Sequence, residues 1–180
     1  ANTAGALCHP EARRDLVRIG IGMYGISPSD EISARDAGLV PALRLVSAVS
    51  YVKRVERGTK VSYGHRWEAP TDGWVATVPI GYADGVPRRL TGRGSVVLGG
   101  RACPIAGTVT MDQLMVWCDQ VEPRVGDEVV LLGRQGDTEI RVEDWARHVE
   151  TITYEIVTRL ASRLPRQYLN AAQVPTERQP

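Results

Sequence analysis

Between Ala42 and about Gly136, apolar and polar residues alternate in short runs separated by turn residues, and no stretch holds a helical period. "ALRLVSAVSYVKRVERG" predicts one long strand ending at Arg57–Gly58. "WVATVPIGYADG", "RGSVVLGGRACPIAGTVTMDQLMVWCD" and "GDEVVLLGRQG" predict further strands, with turns at Asp84–Gly85, Gly99–Gly100, Gly126–Asp127 and Gly136–Asp137. Such a succession of short strands points to a small β-barrel or sandwich. The residues before it have a different texture. A short helix is expected around Glu11–Leu16, then an apolar run broken at Gly20, Gly22 and Gly25, as in a helix–strand unit of a parallel α/β layer. After it, Trp145, Val149, Ile152, Ile156 and Leu160 recur at three- or four-residue steps and predict a single helix, stopped by Pro165. The expected organisation is therefore the end of an α/β domain over 1–40, a mainly β domain with terminal helices over 41–170, and a flexible tail over 171–180.

Charge narrows the partners. The 180 residues carry 22 basic and 21 acidic side chains, so nothing favours a polyanion such as nucleic acid. Lys53 and Lys60 are the only lysines, and every other basic residue is Arg, whose guanidinium stays protonated and makes forked, planar contacts. Cys8, Cys103 and Cys118 are too few and too scattered for a disulfide framework or a zinc site, which suggests a reduced, cytoplasmic protein. No apolar run approaches the length of a membrane span, and no charged, apolar leader is present. His9, His65 and His148 show no metal-ligand spacing and are expected at the surface or in packing roles, so no metal is anticipated.

Few side chains remain that could do chemistry. Tyr63 and Tyr82 each sit beside a glycine where an apolar run meets a turn. Taken alone, Tyr63 reads as a strand-end tyrosine with a buried ring and a wet hydroxyl. An unperturbed phenol titrates at about pH 10 and is a poor base unless its phenolate is stabilised. In "DLVRIGIGMYG", glycines after an apolar run let backbone N–H groups approach an anion, with Arg18 next to the turn. "GTVTMDQLMV" places Met111, Asp112 and Gln113 together in a β context that disfavours Asp, as at a strand-start bulge.

Five segments in fixed order, "VRIGIGMYG", "VSYGHRW", "VPIGYADGVPRRL", "MDQ" and "TITYEIVTRL", resemble the alanine racemases, pyridoxal-phosphate enzymes that interconvert L- and D-alanine; the resemblance covers residues 1–170. It implies the end of an eight-stranded α/β barrel over 1–40, followed by the family's C-terminal β-domain. It implies Thr3, Gly20, Ile21 and Tyr154 at the cofactor phosphate, and Arg18 at the pyridine nitrogen, where a guanidinium that keeps its proton leaves the ring a weaker electron sink. Tyr63 resembles the second catalytic base, contributed to the other subunit of a head-to-tail homodimer. Met111 resembles the residue whose backbone N–H touches the substrate carboxylate. Tyr82, Arg88 and Ile152 resemble residues of the access channel, with Asp112 nearby. The lysine that bonds the cofactor lies outside the matching motifs, and neither Lys53 nor Lys60 stands in its place, so the chain by itself is expected to be inactive. The complete enzyme would supply D-alanine for peptidoglycan.

Three positions depart from the family pattern: Thr108 for Arg, Thr110 for a frequent Cys, and Glu150 for a common Gly. Alternative readings are a broader racemase that accepts serine, and a non-catalytic β-barrel interaction module. A related decarboxylase is disfavoured, because Arg18 replaces a glutamate and "MVWCDQVEP" around Cys118–Asp119 does not match that pattern.

Overall fold

The long alternating run from Ala42 to Gly58 forms two strands, β1 (Leu45–Ala48) and β2 (Tyr51–Val55). A computed structural model describes residues 1–29, 31–119 and 121–169; the expected tail over 171–180 lies outside them. At Val49–Ser50 the chain changes sheet: Val49 N–H donates to Asp127 O at 2.9 Å, and Ser50 N–H donates to Thr77 O at 2.9 Å. Alternation continues through this corner, so the period alone gives no sign of it.

β1 pairs antiparallel with β9 (Glu128–Gln135), which also pairs with β6 (Ser95–Leu98) and β10 (Thr138–Ile140), while β7 (Arg101–Pro104) forms the far edge beyond β6. β2 belongs to a second antiparallel sheet with β5 (Gly73–Val78) and β8 (Leu114–Cys118). A bridge between Ile105 and Val116 joins the sheets at a second corner. The result is mainly β, two sheets meeting at corners, with helices at both ends of the chain. Val129, Val130, Leu131 and Leu132 are all buried in β9, so its continuous apolar run marks a strand covered on both faces. All three cysteines are free, with Cys103 and Cys118 buried and Cys8 exposed.

A separate apolar cluster supports a small hairpin. Val55, Ala69, Val75, Ala106 and Trp117 are buried together, apart from the main core, with Val61, Trp67 and Met115 packed against them. Trp67 and Trp117 lie with ring centroids 5.4 Å apart. This cluster underlies β3 (Lys60–Val61) and β4 (Trp67–Glu68), the strands that flank Tyr63.

The helices differ from the sequence expectation. The first is α1 (Thr3–Cys8), capped by Asn2, whose Oδ1 accepts from Gly5 N–H at 2.9 Å. Around Glu11 there is only a tight turn over Pro10–Ala12. Pro10 explains the stop, since its ring restricts His9 before it and it has no N–H for a helical bond. The C-terminal helix is two: α2 (Val142–Val149) and α3 (Thr153–Thr158), the latter ending well before Pro165. Glu150 breaks them apart in a left-handed conformation, φ 59° and ψ 52°, with Thr151 N–H turned back to Ala146 O at 2.9 Å. That conformation favours glycine, yet Glu150 also pairs with Arg89 at 2.9 Å and Arg93 at 3.3 Å. Both pairs are exposed and screened by salt. Glu150→Gly is therefore expected to raise Tm by about 2–4 °C in high salt for a chain of this size, with a smaller gain in low salt. Thermal melts at two ionic strengths test this.

No helix among the described residues is long and apolar enough to cross a membrane.

Candidate functional site

Tyr63, Tyr82, Arg88 and Met111 line one open cavity of about 640 Å³, together with Arg66, Thr108, Asp112 and Gln113. Tyr63 comes from the turn between β3 and β4, Tyr82 from a turn after β5, and Met111 from the loop before β8. The ring of Tyr63 is 77% exposed, which overturns the plain expectation of a buried strand-end tyrosine. Met111 and Tyr82 are exposed as well.

Backbone contacts fasten two of these segments together. Tyr82 N–H donates to Thr110 O and Ala83 N–H to Met111 O, both at 3.0 Å. The approach is close: a Cβ on Gly81 would stand 2.3 Å from Thr110 O and 2.4 Å from Met111 O. Glycine at 81 is thus a packing requirement between the two loops.

An ion-pair network ties this mouth to the C-terminal segment. Asp84 is 5% exposed; its Oδ2 accepts from Gly81 N–H at 2.9 Å and its Oδ1 from Arg163 Nε at 2.7 Å. The same guanidinium reaches Asp112 at 2.8 Å, and Ala161 N–H donates to Asp84 O. Burial works against ionisation of Asp84, but the hydrogen bonds from Arg163 and Gly81 and the guanidinium charge outweigh it and hold the carboxyl below its usual range. A depressed carboxyl stabilises the fold above its unfolded pKa of about 3.9, and that contribution disappears as pH falls through the lower folded value. Arg163→Ala leaves the desolvation and removes the opposing cation. Its acid-unfolding midpoint is expected to move to higher pH, while in an Asp84→Asn background the further effect of the Arg163 substitution should shrink to what its exposed pair with Asp112 contributes. Circular dichroism across an acid titration distinguishes these outcomes. No local pattern joins Asp84 to Arg163, 79 residues away, so the network was missed from the sequence.

The second group forms where the chain's first residues meet the segment around Arg18. Asn2 and Arg18 make a parallel bridge, and Arg18 N–H donates to Ala1 O at 2.7 Å. Thr3 is buried, and its Oγ1 accepts from Gly20 N–H at 3.1 Å, so that N–H is not free. Ile21 opens a tight helical turn over Ile21–Tyr24, where the first N–H groups have no partner within the turn. A Cβ added to Gly20 would meet nothing within 4 Å, so space lies open beside Gly20. A hydroxyl, an orphan N–H and open space suit a phosphate. Thr3, Arg18, Gly20 and Ile21 are thus brought together.

Ile152 and Tyr154 do not line the cavity; both are exposed, Ile152 just before α3 and Tyr154 within it. Their connection to the mouth is indirect, through the Ala161–Asp84 bond beyond the end of α3. Lys53 and Lys60 are exposed on β2 and β3 and do not line the cavity.

The profile of the alanine racemase C-terminal domain matches residues 42–168. Among curated relatives, an alanine racemase of Symbiobacterium thermophilum is 47% identical over 93% of this chain and 45% of its own length. Among solved structures, alanine racemase from Streptomyces coelicolor is similar at a TM-score of 0.88 and 45% identity, covering 94% of this chain and 45% of that one. The Bacillus anthracis alanine racemase with bound L-Ala-P gives a TM-score of 0.83 at 44% identity, over 89% of this chain and 42% of that one. The chain spans less than half the length of these relatives.

Proposed function

Because this chain belongs to the alanine racemase family, we propose that it is the C-terminal portion of a pyridoxal-phosphate-dependent alanine racemase, in which Tyr63 moves the proton on one face of the substrate Cα. The observation that carries this reading is the convergence of Tyr63, Tyr82, Arg88 and Met111 on one open cavity, with the Tyr63 phenol exposed instead of packed.

Thr3 and Ile21 would hold the cofactor phosphate through a hydroxyl and a backbone N–H, with Gly20 aligning the threonine; Tyr154 would add a phenol and Arg18 would face the pyridine nitrogen. When bound, the cofactor acidifies the Cα–H of the amino acid. Tyr63 accepts or returns that proton from one face. Met111 N–H fixes the substrate carboxylate, Tyr82 and Arg88 narrow the approach, and Ile152, outside this cavity, would join them only across the dimer. A lysine from the remainder of the enzyme serves the opposite face.

The mouth and the phosphate cradle are separate on this chain. That separation fits a head-to-tail dimer in which Tyr63 and Met111 serve the neighbouring subunit. Residues 1–40 are read as the end of the α/β barrel: Leu16, Val17, Ile19, Met23, Tyr24 and Val40 are all exposed there and need a cover. The same apolar surface argues against a free-standing interaction module. The complete enzyme acts on alanine in the cytoplasm and feeds D-alanine to the cell wall.

The test is racemisation. The complete holoenzyme should convert L-alanine to D-alanine, whereas the 180-residue chain given pyridoxal phosphate should show neither turnover nor the absorbance of lysine-bound cofactor. Racemisation by the isolated chain would refute the assignment.

A further inference from the structure

The geometry points to Ser62 as a positioning residue for Tyr63: its hydroxyl locks the backbone just before the phenol and so sets the face on which the proton moves. This rests on the reading of Tyr63 above. Ser62 adopts φ 68° and ψ 178°, a left-handed extended conformation that is almost reserved for glycine. Its Oγ exchanges two hydrogen bonds with one residue across the turn, accepting from Thr108 N–H and donating to Thr108 O, each at 3.1 Å. Thr108, itself only 8% exposed, donates its own hydroxyl to Tyr63 O at 3.4 Å. Gly107, at φ 80°, makes the approach possible, because a Cβ there would lie 2.5 Å from Ser62 Cβ.

A glycine at 62 would meet the backbone requirement without strain and leave the turn free to move. Serine accepts the strain and gains two bonds that hold the strained form. The lock matters because nothing else among the described residues of this chain aims the phenol. The Tyr63 ring is largely exposed, its hydroxyl makes no hydrogen bond to any described residue, and Gly64 and His65 after it also have positive φ. The direction of the side chain is therefore inherited from the backbone, and the backbone is held from Thr108.

Ser62→Gly and Ser62→Ala in the complete holoenzyme separate the lock from the strain. Both remove the hydroxyl, and only the glycine relieves the conformation. The equilibrium constant of a racemisation is one, so kcat/KM must fall equally in both directions; a fall of about tenfold or more is expected from a misplaced base. The discriminating readout is the isotope effect with α-deuterated substrate. It should rise for the antipode whose proton Tyr63 removes and not for the other, in Ser62→Gly as well as in Ser62→Ala. A second readout needs no turnover: amide hydrogen exchange at Thr108 should accelerate in both variants. An active wild type whose Ser62→Gly variant keeps its kcat/KM within about twofold, or shows equal isotope changes for both antipodes, overturns this inference alone. So does unchanged exchange at Thr108. A wild-type holoenzyme that does not racemise alanine overturns the functional reading and the positioning role of Ser62 with it.

Discussion

Tyr63→Phe in the complete holoenzyme should lower kcat/KM for alanine by about 10²–10⁴-fold, the usual contribution of a positioned acid–base group. The substitution removes one oxygen from a side chain that is 77% exposed in this chain, so the loss should appear with no change in Tm. That combination separates a proton-transfer role from a packing role, since a ring that packed would lose stability when altered. Binding should survive: a competitive carboxylate inhibitor should keep its affinity within about twofold, because a uniform binding contact was not removed. A fall of less than tenfold in kcat/KM would assign the second proton transfer to another group.

The second large effect is on stability. Trp117→Ala should destabilise the chain by about 3–5 kcal/mol, the range for deleting a buried indole. Trp117 is 4% exposed on β8 and fills the space between Trp67 and the backbone at Gly73, where a Cβ would stand only 2.4 Å from its ring. Nothing larger than hydrogen at 73 leaves room for the indole, so the cluster has no slack on the other side either. The cavity would open beneath the hairpin that carries Tyr63, outside the main core around β9. Hydrogen exchange should accelerate first between residues 56 and 70 and leave β9 protected. A denaturation loss below about 1 kcal/mol would mean that the site collapses around the missing ring.

The β pattern was readable because short alternating runs and turn residues are local signals. Two boundaries were not. At Val49–Ser50 the alternation persists while the pairing partner changes from β9 to β5, so a corner looks like a continuing strand. At Glu150 the apolar steps of Trp145, Val149 and Ile156 continue across a left-handed break, because both short helices press onto the same core. Glutamate gives no sign of that conformation, where a glycine would have. The candidate residues of the mouth were legible through motif resemblance. Their supports were not: Asp84–Arg163 and Ser62–Thr108 depend on contacts 79 and 46 residues apart.

The way the Tyr82 and Met111 loops are joined bears on how such a mouth can drift over time. Tyr82 and Ala83 hold Thr110 and Met111 through main-chain atoms alone, which every residue type except proline supplies equally. The outline of the opening is therefore inherited separately from the side chains that line it. Thr110 is the exception on this rim, because its Oγ1 donates to Gln113 O at 2.7 Å. A new occupant at 110 gives up that one bond while the two main-chain links between the loops stay in place.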